Sequence, residues 1–397
     1  MTVSCIPAAV AGVLLATVAT ARATDINVPG DQPTIQQAIA AAADGDRVLV
    51  SPGTYPEHID FLGKAIQVLS TDGSAVTVID GTQTGTVVTF RSGEPRTALL
   101  AGFTIRGGRA PDGSNGGGIL IDHASPSVMN NEVFDNAACN GGGLEATQGS
   151  PLIAHNRFHH NRANCGSSAN GAGLDIESPV ETLVAFNLID ANSRAEAGGG
   201  VALTGLGHAT LDGNVIRENQ AFGAGGGIFS ELSHLRLENN VVVSNSEQGI
   251  FADILDNKSV LDIVNNTVAD NVELEMTIQA RHGNLKLYNN IIRTTQASFT
   301  IGCGFDHTGT ALVSHNLIFS TNGAHAFGNC DLSDGLIDAD PLFSGAPGAH
   351  AYWLTSASPA IDAGDNTFAA RIRHDATGNA RVINGTVDLG AFEFRGN

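Results

Sequence analysis

Lysine is nearly missing from this 397-residue chain: Lys64, Lys258 and Lys286 are the only three. Arginine brings the basic total to 20 against 40 acidic residues, a net charge of −20. A surface of that sign repels nucleic acid and anionic lipid, so neither is an expected partner. Aromatic residues are scarce too, at 5%, with one Trp and three Tyr. Platforms for stacking on flat ligands are therefore few. Beyond the N-terminus no apolar run is long enough to span a bilayer, so no membrane span is expected. What is abundant is glycine, with 48 residues, in a chain that is 42% apolar and able to fill a large core.

Residues 1–23 read as an export signal. "IPAAVAGVLLATVAT" is an apolar stretch too short for a membrane anchor, and Ala21-Arg22-Ala23 is a small-x-small cleavage site. Losing Arg22 with the signal leaves 19 basic against 40 acidic residues, a charge of −21. The expected location is secreted, periplasmic or at the cell surface.

The main signal is a repeat. An Asn followed two positions later by an apolar residue recurs at Asn131, Asn156, Asn187, Asn214, Asn240, Asn266, Asn290 and Asn316, spaced 24 to 31 residues apart. A second Asn follows at +5 in the first six, from Asn136 to Asn271. Five of the repeats are preceded by a glycine signal such as Gly141-Gly142-Gly143, then by a short alternating apolar run. A period of this length, with several strand-like runs and no helical spacing, predicts one coil of a parallel β-helix. Each coil carries three strands; in one they are "GLEAT", "PLIAH" and "RFHH". Stacking would bring each Asn over the next, its amide bonding to the coils above and below. Hexapeptide repeats are absent, which favours the right-handed form.

Cys139 and Cys165 bracket His155, His159 and His160, a mix that raises zinc as one reading. The period argues otherwise. Cys139 lies eight residues after its Asn and Cys165 nine after its own, so they fall at nearly one place in adjacent coils. Cys303 and Cys330 repeat the relation. Disulfides Cys139–Cys165 and Cys303–Cys330 are predicted, in keeping with export.

"TIQQAIAAAADGD" predicts a helical cap, with Thr34 as N-cap and a stop at Asp44-Gly45. "PTIQQAIAAAADGDRVLVSPGTYPEHI" resembles the start of exported right-handed β-helix proteins of the pectin methylesterase and pectate lyase-like superfamily. The repeats resemble those of bacterial β-helix repeat proteins. "SPAIDAGDN" with "GNARVINGTVDLGAFEF" resembles a C-terminal module that closes many of them. The expected organisation is a cap and first coils over 24–85, repeats over 86–335 and a closing module over 336–397. The fold class is all-β: a right-handed parallel β-helix (solenoid). The esterase-type QDTL and polygalacturonase-type NTD and GHG segments are absent, so "GTYPE" marks a strand and not an esterase.

If Ile119, Leu144, Leu174, Val201, Ile228 and Ile250 point inward, their neighbours point outward: Asp122, Glu145, Asp175, Glu177, Thr204, Phe229, Glu231, Phe251 and Asp253. The resemblance implies that this sheet lines a saccharide cleft. Three readings compete. Glu145 and Asp175, one coil apart, suit an acid–nucleophile pair, with Glu177 beside them. Asp175, Glu177 and Asp253 could chelate Ca2+ for an elimination, with Arg281 or Arg162 as base by family analogy. Or the acids only keep a flat sheet soluble. Phe229 and Phe251 are the candidate sugar-stacking pair, with Glu231 as a further substrate contact. The expected partner is extracellular polysaccharide, cleaved by a lyase or glycoside hydrolase; the rival reading is a non-catalytic scaffold or adhesin.

Overall fold

In the computed structural model, residues 23–396 are described except 112, 255–257, 281–282, 296–298, 306–309, 324, 329–330 and 347. The expected signal segment, Arg281 and Cys330 thus fall outside the described residues. The chain winds into a right-handed parallel β-solenoid of about 11 turns, counted on its 11-stranded sheet. One coil supplies Leu144–Thr147 to sheet 1, Leu152–Ala154 to sheet 2 and Arg157–His159 to sheet 3. Sheets 1 and 2 are joined by hydrogen bonding, because strands Val201–Asp212 and Ile228–Glu238 run unbroken through the bend between them.

The alternation dictates the core. Ile119, Leu144, Leu174, Val201, Ile228 and Ile250 all point inward and are fully buried. Each is paired in register with the next, from Ile119↔Leu144 to Ile228↔Ile250. Burying such a stack is the main stabilising term, at about 2 kcal/mol per aliphatic side chain.

Asparagine solves the backbone problem at the turns. Asn156 Oδ1 accepts from the N–H and Nδ2 of Asn131, while its own Nδ2 donates to Val128 O and to Asn187 Oδ1. The same bonding runs through to Asn316. The +5 residues form a second ladder, Asn136 to Asn271. Both ladders are buried, so each amide satisfies groups that water cannot reach.

The glycine signals serve close approach. Gly141 has φ +57°, and a Cβ on Gly142 would sit 2.3 Å from Arg162 O of the next coil. This lets the loops before sheet 1 stack into short ladders of their own, such as Ala137–Ala138 on Arg162–Ala163.

The α-helix Ile35–Ala41 starts at Thr34, whose hydroxyl accepts from Gln37 N–H, and it buries Ile35, Ala38 and Ile39 in the main core. At the other end, Ile337 adds one more parallel rung beside Leu317, and the C-terminal segment beyond it lies along the flank of the solenoid. Ala391 and Phe392 pack on the outward Val241, Val243 and Ala269 of sheet 3. Polar docking uses a third row of asparagines on the outer corner, Asn239, Asn265 and Asn289, each at φ near +55°. Asn265 Nδ2 donates to Asp388 O, Asn289 Nδ2 to Asp365 O, and Arg381 Nη1 to Asn239 Oδ1.

Candidate functional site

The outer face of sheet 1 carries two parallel rows. The first runs Leu120, Glu145, Asp175, Ala202, Phe229, Phe251 and Thr277, each paired with the next. The second runs Asp122, Thr147, Glu177, Thr204 and Glu231, with Asp253 on the coil beyond. Register therefore places Glu145 beside Asp175 and Phe229 beside Phe251.

Glu145 and Asp175 are not open to solvent: Glu145 is 0% exposed and Asp175 4%. Their carboxyls hydrogen-bond to each other, and Asn115 Nδ2 donates to Glu145 Oε1 at 3.3 Å. Burial, then the charge of Asp175, holds Glu145 well above the ordinary carboxyl range. Burial also lifts Asp175 to about 7, although the bond from Glu145 lowers it and exposed Glu177 adds repulsion. Burial and mutual repulsion disfavour two negative charges here, so the pair holds a proton at pH values where free carboxyls have lost theirs. A retaining glycosidase instead needs its carboxyls about 5 Å apart and flanking the scissile bond. Here they touch, which leaves no space for a sugar between them.

The calcium set does not converge. Asp253 sits three coils from Glu177 along one row, about 14 Å at the strand spacing of a sheet. Among the described residues, no group of three or more His, Cys, Asp or Glu side chains is placed to hold a metal. Asp175, Glu177 and Asp253 therefore do not converge on one Ca2+ ion. Arg162 points elsewhere, toward Asp135 at 3.9 Å. The histidines of the same coil have other uses: His155 stacks on Phe186 at 5.3 Å, and His159 bonds Glu132 and His160. Cys139 and Cys165 form a disulfide with Cα atoms 4.8 Å apart. Cys303 is disulfide-bonded as well, and its expected partner Cys330 is outside the described residues.

The accessible part of the face lies further along. Phe229 and Phe251 are half-buried and stack at 5.5 Å with planes 12° apart. Glu231 is exposed beside Phe229 on the same strand, Thr204 is half-buried one coil before it, and Glu177 is exposed two coils before it. Phe222, in the loop strand Ala221–Ala224 that leads into the Phe229 strand, is 70% exposed. Sequence reasoning passed over Phe222 because the loop has no alternation to read, although a large apolar residue between small ones was its signal.

With this geometry in hand, the chain can be compared with known proteins. Residues 102–273 match the family described as right handed beta helix region. No curated protein matches the chain in sequence. Among solved structures the chain is similar to pectate lyase Pel9A, with a TM-score of 0.56 and 15% identity over 96% of this chain and 98% of that one. It is also similar to a mannuronic acid specific polysaccharide family 6 lyase from human gut microbiota, with a TM-score of 0.40 and 11% identity over 76% and 82% of the two chains. A third is the A-module of the mannuronan C-5 epimerase AlgE6 from Azotobacter vinelandii, at 0.39 and 14% over 77% and 94%. At 15% identity the likeness to pectate lyase Pel9A is one of fold.

Proposed function

We propose that this chain is an exported protein that binds extracellular polysaccharide on the outer face of sheet 1. The observation that carries the reading is the outward Phe229–Phe251 stack, in a chain with few aromatics, with Phe222 exposed on the loop strand that precedes Phe229 in the chain. Aromatic faces pack against the C–H face of a sugar ring, and the carboxylate of Glu231 accepts hydrogen bonds from its hydroxyls, with Glu177 placed two coils along for a neighbouring unit of the polymer. The likeness to a pectate lyase in fold supports polysaccharide, without regard to its charge, as the ligand class. A solenoid suits a polymer, since successive coils present equivalent positions along its length.

Cleavage is the narrower form of this reading, with exposed Glu231, on the strand that carries Phe229, as the carboxylate within reach of the platform. Glu145 and Asp175 hold each other and present no acid–nucleophile pair, which favours a second reading: a rigid, non-catalytic scaffold that binds without cutting. Phe229→Ala decides whether the platform binds. It should weaken binding to a responsive polysaccharide about tenfold while leaving the melting temperature within a few degrees. Unchanged binding in a folded Phe229→Ala, Phe251→Ala double variant would rule the face out. Reducing ends and unsaturated products, followed in the same mixtures, separate hydrolase, lyase and scaffold.

A further inference from the structure

The chain's single tryptophan stands on the C-terminal segment. Trp353 is 40% exposed, so part of its ring meets solvent. Its ring centroid lies 4.2 Å from that of His350 and 6.1 Å from that of Phe392. These rings, with Phe394, wall a cavity of about 350 Å³, a volume in the range of small-ligand sites. The rim is polar, formed by Thr377, Asn379 and Arg395.

Charge decides which ligand fits. Asp375 lines the cavity, but its oxygens are occupied. Oδ1 accepts from the Thr377 N–H and hydroxyl and from the Asn379 N–H, and Oδ2 accepts from the Glu393 N–H. Glu393 is buried against Arg381, 3.0 Å away, with both side chains 1% exposed. Asp375 is thus fully engaged, and Glu393 Oε2, although it has no hydrogen-bond partner, is closed off from solvent. Arg395 is exposed, 3.7 Å from Asp375 Oδ2 and 3.5 Å from Ala380 O, both too long for tight bonds. The cavity thus joins an indole face to an available guanidinium on an otherwise acidic protein.

We propose that this cavity binds one hexuronate ring, with its C–H face against Trp353 and its carboxylate on Arg395. The proposal takes saccharide as the ligand class from the reading above and adds a second site, remote from sheet 1. A carboxylated unit belongs here and not on the acid row, where Glu177 and Glu231 would repel it.

Because Trp353 is the only tryptophan, its fluorescence reports this cavity directly. The experiment titrates residues 24–397 with galacturonate, mannuronate and glucose as probes. A saturable change with a uronate is expected, at least tenfold weaker with glucose. Arg395→Gln should weaken the uronate response about tenfold, Arg395→Lys should restore part of it, and Phe229→Ala should leave it unchanged. An equal response to glucose and uronate, or no response in the folded protein, overturns the proposal. Loss of polysaccharide binding in Phe229→Ala with the Trp353 response retained shows that the two sites stand or fall separately.

Discussion

Asn271 donates its backbone N–H and its side-chain Nδ2 to a single oxygen, Glu275 Oε2, at 3.1 and 2.7 Å. In the preceding coils of that ladder the accepting oxygen belongs to the next asparagine; here a carboxyl ends the series. Burial raises Glu275 to about 8, against its ordinary 4.5, although the Asn271 bonds pull it down. The folded protein therefore keeps a proton that the unfolded chain gives up near pH 4.5. The stabilisation this confers is complete below about pH 4.5 and is lost as pH rises through about 8.

Glu275→Gln should keep the ladder closed through its amide oxygen and remove that part of the pH slope. Glu275→Ala should cost about 2–3 kcal/mol by leaving buried donors unpaired. Melting temperatures of the three proteins at pH 5 and pH 9 test this. A wild-type slope shared fully by Glu275→Gln would contradict it.

The Glu145–Asp175 pair has the same sign. Asp175 rises from 3.8 to about 7 through burial, so its contribution is also full at low pH and fades as pH climbs through 7. Asp175→Asn keeps a neutral hydrogen-bonding partner for Glu145 with no second charge to create. It should equal or exceed wild type in stability at pH 8 and lose that advantage at pH 5. Urea unfolding at the two values measures it.

Reducing the Cys139–Cys165 disulfide frees a loop with a sequence separation of 26 residues. A Cys139→Ser, Cys165→Ser double variant should lose about 3 kcal/mol. Hydrogen exchange should rise first at 137–141 and 162–172, where the short ladders before sheet 1 are stacked.

Arg381 is 1% exposed and donates to Asn239 Oδ1, Asp388 O and Gly390 O while pairing with Glu393. Removing it strands both a buried carboxyl and the docking row. Arg381→Ala should cost about 3–5 kcal/mol and expose the C-terminal segment to protease before the solenoid. Arg381→Lys should rescue little, since an ammonium cannot span those acceptors in the plane of a guanidinium.

How far these features could be read in advance depends on whether they repeat. Asn131 and Asn136 announce both ladders because stacked coils must satisfy the same turn backbone in the same way each time. Ile119 and Leu144 announce the inward row for the same reason. Glu275 is silent, because it does an asparagine's work four residues past the pattern. The burial of Glu145 and Asp175 is equally hidden: it depends on irregular loops, including the one bearing Asn115, whose path no alternation encodes. The flank docking through Asn239, Asn265 and Asn289 was legible in part. The residue before each first-ladder asparagine must turn left-handed, and Asn favours that, but nothing local says that another segment will cover it.

The most direct test of the account is hydroxyl-radical footprinting of residues 24–397, with and without a polysaccharide that the protein retains. Protection is expected at Phe229 and Phe251 on sheet 1 and at Phe222 on the loop strand before it, with solvent-facing Leu206 and Val180 on the same solenoid unchanged. Retained binding with those three phenylalanines oxidised as fast as in the free protein would contradict it.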